Sequence, residues 1–372
     1  MKVCFCYTVP GTLDFAIPTI RKMKEKGIEV VVISSNQEKL AQLASKLTIE
    51  YHVVNFSRGY NLISDIKALY KLIKVLKRLK PDVVFGATPK AGLLSMIASY
   101  LLGIKMRIYH IFGFPFETAK GFVRRLLICV ERLASLCATH VLPISKSIAS
   151  VSVTNKIASR SKVCRDYALT IGGVDMERFS PEDVNAEHLK KKYNICDDDI
   201  VIGFVGRITR DKGIYDFIHV MNRLKQYSLK YLIIGDNDAR EPVDEELIKY
   251  IDTQSNIIHI KHTDKIEEFY KLMRILLIPS YREGFGNANV EAQAMRVPVV
   301  CYSVTGCVDS VKDKVSGFLV PFGDLHALEN AVQKLVIDNE LCETMGFNAR
   351  MYVGSNFTTE IVAENNIDYI NL

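Results

Sequence analysis

Short β-rich apolar runs alternate with longer stretches of helical period from the first residues onward, the pattern of an α/β domain built on a parallel sheet. Strands are predicted over residues 2–7, 29–34, 50–54, 82–86, 106–110 and 140–144, and helices near 14–26, 62–80, 89–102 and 118–138. After the polar stretch 181–199 a second series begins, with strands at 200–205, 230–234, 256–260, 274–279, 297–302 and 317–320 and helices between them. The period breaks near 178–187, where Pro181 stands among charged residues, so two like-built domains are expected, 1–178 and 179–357. A last helix over 358–371 is free to pack on either half, including back on the first.

A chain of 372 residues exceeds what one hydrophobic core usually serves, which agrees with two domains. Its 48% hydrophobic and 24% charged residues are those of a globular protein. The opening residues read as a buried strand rather than a secretory signal. The longest apolar run, 93–104, falls short of the roughly 20 residues that span a bilayer. Nine scattered cysteines without a C-x-x-C pair argue against a disulfide framework or a zinc site and fit the cytoplasm. Charge is uneven: 27 Lys and Arg face 12 Asp and Glu up to Arg178, against 21 and 30 beyond it. The basic half invites an anionic partner.

Parallel sheets of this kind bind ligands outside the carboxyl ends of their strands. Gly206, just past the strand at 200–205, lets the backbone turn, and Arg207 and Lys212 follow on the loop into a helix, where two cations suit a diphosphate. Taken alone, a solvated basic turn reads the same way. In 279–292, Gly284 and Gly286 permit close approach of backbone to a ligand, and the helix start behind them offers unpaired N–H groups. Glu283 lies on this turn and Glu291 about one turn into the helix. Two carboxylates at one pocket suit a polyol, each accepting two hydroxyl hydrogen bonds. The structural alternative is a helix-dipole role for Glu291 and a surface pair for Glu283.

Arg207 and Lys212 followed by Glu283 and Glu291 resemble the retaining glycosyltransferases of family 4, in particular their bacterial capsule and O-antigen branch. Supporting matches follow in order: Thr88-Pro89-Lys90-Ala91-Gly92, Gly113-Phe114-Pro115-Phe116-Glu117-Thr118, Gly173-Val174-Asp175 with Arg178-Phe179, and Val304-Thr305-Gly306-Cys307. The resemblance covers essentially the whole chain and implies a GT-B fold, two Rossmann-like domains facing each other across a cleft, with the acceptor on the first and a nucleotide-sugar donor on the second. It further implies that Arg207 and Lys212 bind the donor diphosphate, Glu291 the ribose and Glu283 the transferred sugar. Gly206, Gly284, Phe285, Gly286 and Asn287 would line the donor, and His262 and Thr263 would lie near the base, usually uracil.

Catalysis would rest on Glu283, Arg207, Lys212 and His110, with no metal and no cofactor. His110 ends a strand of the first half, where a satisfied strand-end histidine is the competing reading. Gly11, Gly113 and Glu117 are the acceptor-side candidates, Glu117 with a helix N-terminal role as its alternative.

Three departures from the family pattern stand out. Arg296 replaces a glycine at a helix end; the approach to Gly173-Val174-Asp175, residues 169–173, is altered; and the first Gly-rich loop is reduced to Pro10-Gly11-Thr12. Asp197-Asp198-Asp199 reads as a solvated turn.

Residues 62–80 and 118–138 pair apolar stripes with Lys67, Lys71, Lys74, Lys77, Arg78, Lys80, Lys120, Arg124 and Arg125, as helices lying in an anionic interface do. An ordinary surface helix is the alternative. The expectation is thus a hexosyl- or N-acetylhexosaminyl-transferase, cytoplasmic and peripheral on the inner face of the membrane. It would move a sugar from a UDP-sugar to a polyprenyl-diphosphate-linked saccharide acceptor in surface polysaccharide synthesis. A sugar-nucleotide epimerase of the same fold, or a non-catalytic nucleotide-sugar-binding subunit, are the alternatives, and nucleic-acid binding is not expected.

Overall fold

The computed structural model describes residues 1–56, 61–164, 172–239 and 241–370. Two compact units emerge, Met1–Gly173 with Thr359–Leu372, and Val174–Thr358. The altered stretch 169–173 lies largely outside the described residues.

The first unit runs β1 (Lys2–Cys6), α1 (Ile17–Glu25), β2 (Glu29–Ser34), α2 (Gln37–Leu47), β3 (Glu50–Val53), α3 (Leu62–Leu79), β4 (Val83–Ala87), α4 (Pro89–Leu101), β5 (Met106–Ile111), α5 (Gly121–Cys137), β6 (His140–Pro143) and α6 (Lys146–Thr154). Its strands form one parallel sheet in the order β3-β2-β1-β4-β5-β6. β1, β2 and β4 are apolar along nearly their whole length because helices cover both faces of the sheet. Val3, Phe5, Val30, Val32, Val83 and Phe85 are core residues of this unit.

The second unit runs α7 (Glu187–Tyr193), β7 (Ile200–Val205), α8 (Ile214–Arg223), β8 (Leu229–Ile234), α9 (Glu245–Thr253), β9 (Ile257–Ile260), α10 (Ile266–Tyr270), β10 (Ile275–Ile278), α11 (Asn287–Ala294), β11 (Val299–Tyr302), α12 (Cys307–Ser310), β12 (Gly317–Val320), α13 (Leu325–Ile337) and α14 (Asn339–Asn356). The order β12-β11-β10-β7-β8-β9 repeats the topology of the first sheet. The strand order reverses between β7 and β10, and such a reversal opens the crevice in which doubly wound sheets hold ligands. The last helix, α15 (Thr359–Ile370), packs on α1 of the first unit, where Asn366 donates to Thr19 Oγ1 at 3.1 Å.

Candidate functional site

Loops leaving β7, β10 and β11 meet at the carboxyl end of the second sheet. After β7 the chain turns at Gly206, φ 150°, and reaches a short 3-10 turn, Arg210–Lys212. That turn closes on Gly213 at φ 76°, a left-handed conformation which also brings the backbone against β10: a Cβ here would lie 1.8 Å from the Pro279 carbonyl oxygen. Only glycine meets both demands.

The approach is fastened on both sides. The Tyr281 N–H donates to the Asp211 carbonyl at 2.8 Å, and Arg282 Nη2 stands 3.0 Å from Asp211 Oδ2. Lys212 Nζ donates to Glu283 Oε1 at 2.6 Å, both side chains being largely shielded. Glu283 is tied in turn to the loop after β11, its N–H donating to the Thr305 carbonyl at 3.1 Å. Desolvation would raise the Asp211 carboxyl, but the Thr209 hydroxyl bonded to it and the charges of Arg282, Lys212 and Arg207 hold it below the ordinary carboxylate value. Three cations therefore act on one acid. Arg207 itself turns to Asp238, Nη1 to Oδ2 2.6 Å, and remains 44% exposed.

Behind Glu283 the chain passes Gly284 and Gly286 into α11. Gly286 caps the helix at φ 90°, where an added Cβ would crowd Asn289 Nδ2 at 2.6 Å. Asn289 and Gln293 are fully buried and fix the helix from below: Asn289 Nδ2 donates to Ser310 Oγ at 2.9 Å and Gln293 Nε2 to the Ser310 carbonyl at 2.8 Å. The N-cap residue, Gly286, brings no side chain over the first turn of α11, and a helix start of this kind suits an anion or a hydroxyl. The Phe285 ring is not part of that surface. It is 2% exposed and packs edge-on to Phe357 at 5.1 Å, so only its backbone is available to a ligand.

Glu291 Oε2 accepts from the buried Tyr270 hydroxyl at 3.0 Å. Burial pushes the Glu291 carboxyl up to about 7, while the Tyr270 bond and the Arg178 charge draw it down. Arg178 also donates Nη2 to the Asp264 carbonyl at 2.6 Å and to Glu267 Oε2 at 2.7 Å. It thereby holds the segment carrying His262 and Thr263. His262 is exposed and pairs with Asp264 at 3.2 Å, and Thr263 Oγ1 accepts from the Lys265 N–H at 3.1 Å.

Sequence reasoning gave Tyr270 no role, and nothing in its surroundings along the chain marks it. Asp211 was recoverable, since it lies between Arg207 and Lys212 and an acid there must answer to both.

The remaining candidates belong to the first unit. His110 is not an open strand end: it is 6% exposed, edge-on to Phe112 at 4.7 Å, and lines an interior void of about 10 Å³ with Phe5, Tyr7 and Phe85. Burial pushes its imidazole down to about 3, so the ring is neutral at physiological pH. The buried ring fits the satisfied strand-end histidine that is the competing reading of this residue. Gly11 is exposed in a 3-10 turn with open space around its Cβ position, Gly113 adopts φ 136°, and Glu117 closes the turn Pro115–Glu117.

All nine cysteines are free thiols. Among the described residues no group of three or more His, Cys, Asp or Glu is placed to hold a metal ion.

Two doubly wound sheets of identical order, with cations and acids gathered at the switch point of the second, define a GT-B glycosyltransferase. The sequence pattern of the family "Glycosyl transferases group 1" matches residues 185–352, and that of "Glycosyl transferase 4-like" matches 2–136. The chain is 34% identical to the capsular polysaccharide biosynthesis glycosyltransferase CapM of Staphylococcus aureus, over 98% of this chain and 95% of that one. It is 25% identical to the UDP-Gal:alpha-D-GlcNAc-diphosphoundecaprenol alpha-1,3-galactosyltransferase of Escherichia coli, over 82% and 79%. The crystal structure of Anabaena HepE in complex with UDP-glucose superposes with a TM-score of 0.81 at 17% identity, covering 100% of this chain and 99% of that one. The chain belongs to the group 1 glycosyl transferases.

Proposed function

We propose that the protein transfers a hexose or N-acetylhexosamine from a UDP-sugar, with retention of anomeric configuration, to a polyprenyl-diphosphate-linked saccharide during synthesis of a capsule or O-antigen type polysaccharide. The name of the Escherichia coli relative supports the acceptor class, that of CapM the capsule setting, and the UDP-glucose complex of HepE the nucleotide. The observation that carries the reading is the Lys212–Glu283 contact at the β7/β10 switch point.

In this reading Lys212 and Arg207 hold the diphosphate, the amides from Gly284 to Asn287 and the turn at Gly206 bound it, Glu283 orients the transferred sugar and Glu291 accepts from the ribose hydroxyls. The C1–oxygen bond breaks with its electron pair leaving on the diphosphate. The acceptor oxygen bonds C1 from the same face and its proton passes to the departing phosphoryl oxygen. Fixed cations stabilise the developing charge, so no metal is required. The first unit, with Gly113 and Glu117, takes the acceptor.

An anionic membrane surface is the further partner. The outward faces of α3 and α5 carry Lys67, Lys71, Lys74, Lys77, Arg78, Arg124 and Arg125, all exposed, beside the exposed apolar residues Leu62, Ile66, Tyr70 and Phe122. Of the two acids on these helices, Asp65 pairs with Lys90 at 2.6 Å and Glu131 is buried against the Tyr109 hydroxyl. Among the described residues no helix is long and apolar enough to cross a membrane.

Mass spectrometry of products from a panel of UDP- and GDP-sugars with lipid-linked acceptors tests the reading. It predicts one glycosylated acceptor, formed equally in EDTA. Conversion of the sugar nucleotide without acceptor would instead indicate an epimerase, and no turnover a binding subunit.

A further inference from the structure

At the carboxyl end of α5 the first unit carries an open cavity of about 410 Å³, well apart in sequence from every residue assigned to the donor. Its wall includes Arg132, Lys156, Arg160 and Lys162 and no acid, and among the described residues none of the four forms an ion pair. Two are held rigidly. Arg132 donates Nε to the Lys156 carbonyl at 3.1 Å and Nη2 to the Asn155 carbonyl at 2.9 Å, and Lys162 Nζ donates to the Ser135, Leu136 and Ala138 carbonyls at 3.1, 3.3 and 2.8 Å, so these two contribute charge while Lys156 and Arg160 are the cations that would meet a phosphate directly.

The rim continues into an apolar stripe. Leu136, at the cavity edge, is 70% exposed, and Leu133, Cys129, Leu126 and Phe122 follow it along α5 at alternating three- and four-residue spacing, all exposed. Arg125 and Arg132 flank the stripe. Such a stripe would suit a second copy of the chain by its spacing, but pairing two copies would set these arginines against each other. A phosphate above an acyl chain satisfies both the cations and the leucines.

We infer that this cavity binds the phosphate of an anionic phospholipid headgroup, with the α5 stripe lying in the acyl boundary beneath it. The inference rests on the membrane-surface part of the proposed function and gives that surface a defined lipid site rather than a diffuse field. Because the site is unrelated to the donor residues, it is tested without any sugar nucleotide, and its failure is separate from failure of the transfer reaction.

The test is flotation of the full chain with vesicles of phosphatidylcholine, with and without phosphatidylglycerol. Two double variants that remove equal charge are compared, Lys156→Asn with Arg160→Gln at the cavity and Lys67→Gln with Lys71→Gln on α3. Asparagine is chosen because Lys156 sits at φ 54°, which asparagine tolerates. Circular dichroism checks that both variants fold. Binding that needs phosphatidylglycerol, falls about tenfold or more in the cavity variant and falls clearly less in the α3 variant is the expected result. Equal losses in the two variants, equal binding to neutral vesicles, inorganic phosphate competing as well as the vesicles bind, or dimerisation through α5 without flotation would each overturn it.

Discussion

Lys212 and Glu283 stand 71 positions apart in the chain and 2.6 Å apart in space, one on the loop leaving β7 and the other on the loop leaving β10. In the proposed function Lys212 exchanges this carboxylate for the donor diphosphate. Lys212→Ala is therefore expected to lower turnover about tenfold or more while melting temperature and circular dichroism stay near wild type. Steady-state rates near wild type would count against a role in leaving-group stabilisation.

Gly213 is the hinge that lets this loop reach β10. Gly213→Ala would place a Cβ against the Pro279 carbonyl in a backbone conformation that alanine disfavours. We expect a loss of about 2 kcal/mol or more in urea unfolding, with donor affinity falling in parallel. Alanine tolerated without cost would mean that the two loops are not held as closely as described.

Much of the scaffold is legible in the sequence because most strands are buried apolar runs flanked by helices of clear period. The spans 29–34, 200–205 and 317–320 coincide with β2, β7 and β12, and 62–80 misses α3 by one residue. Helices α2 and α6 escape that reading, being short and lying between strands whose own signal is stronger. Of the site, the order of Arg207, Lys212, Glu283 and Glu291 is visible in the chain, but their partners are not. Tyr270 reaches Glu291 only through packing of α10, Asp238 reaches Arg207 from the loop after β8, and Asn366 of α15 returns from the end of the chain to line the same void as His110. Such contacts follow from topology rather than local pattern.

Glu291 gives the site a pH dependence. Its carboxyl sits at about 7 against an ordinary 4.5, so between those values the folded chain binds more protons than the unfolded one. Stability from this group is full below 4.5 and declines as pH rises towards 7. In the proposed function donor binding runs the other way, because Glu291 would accept from the ribose hydroxyls as a carboxylate: affinity for UDP should rise as pH climbs through about 7. Tyr270→Phe removes a bond that holds the carboxyl down, so calorimetric titration should show the midpoint moved upward, and Glu291→Gln should flatten the profile. A midpoint unmoved by Tyr270→Phe would exclude Glu291 as the titrating group. Stability alone is a poor readout, since burial also pushes Glu131 up to about 7.

Arg296 occupies the left-handed position, φ 60°, that ends α11. Its side chain offsets part of that cost through Glu182, at 2.5 Å, and the face of Phe347. Arg296→Gly is expected to change unfolding free energy by less than about 1 kcal/mol, with donor binding intact. Arg296→Val, β-branched at a positive φ, should cost about 1–2 kcal/mol. Denaturant unfolding of both variants checks the pair, and equal effects would show that backbone conformation is not what distinguishes this site.

The most direct test of the donor site is a crystal structure of the chain grown with UDP. The diphosphate should lie within hydrogen-bond distance of Lys212 Nζ and the Arg207 guanidinium, with the ribose hydroxyls on Glu291. UDP bound elsewhere, with Lys212 still on Glu283 and no phosphate beside it, would contradict the account.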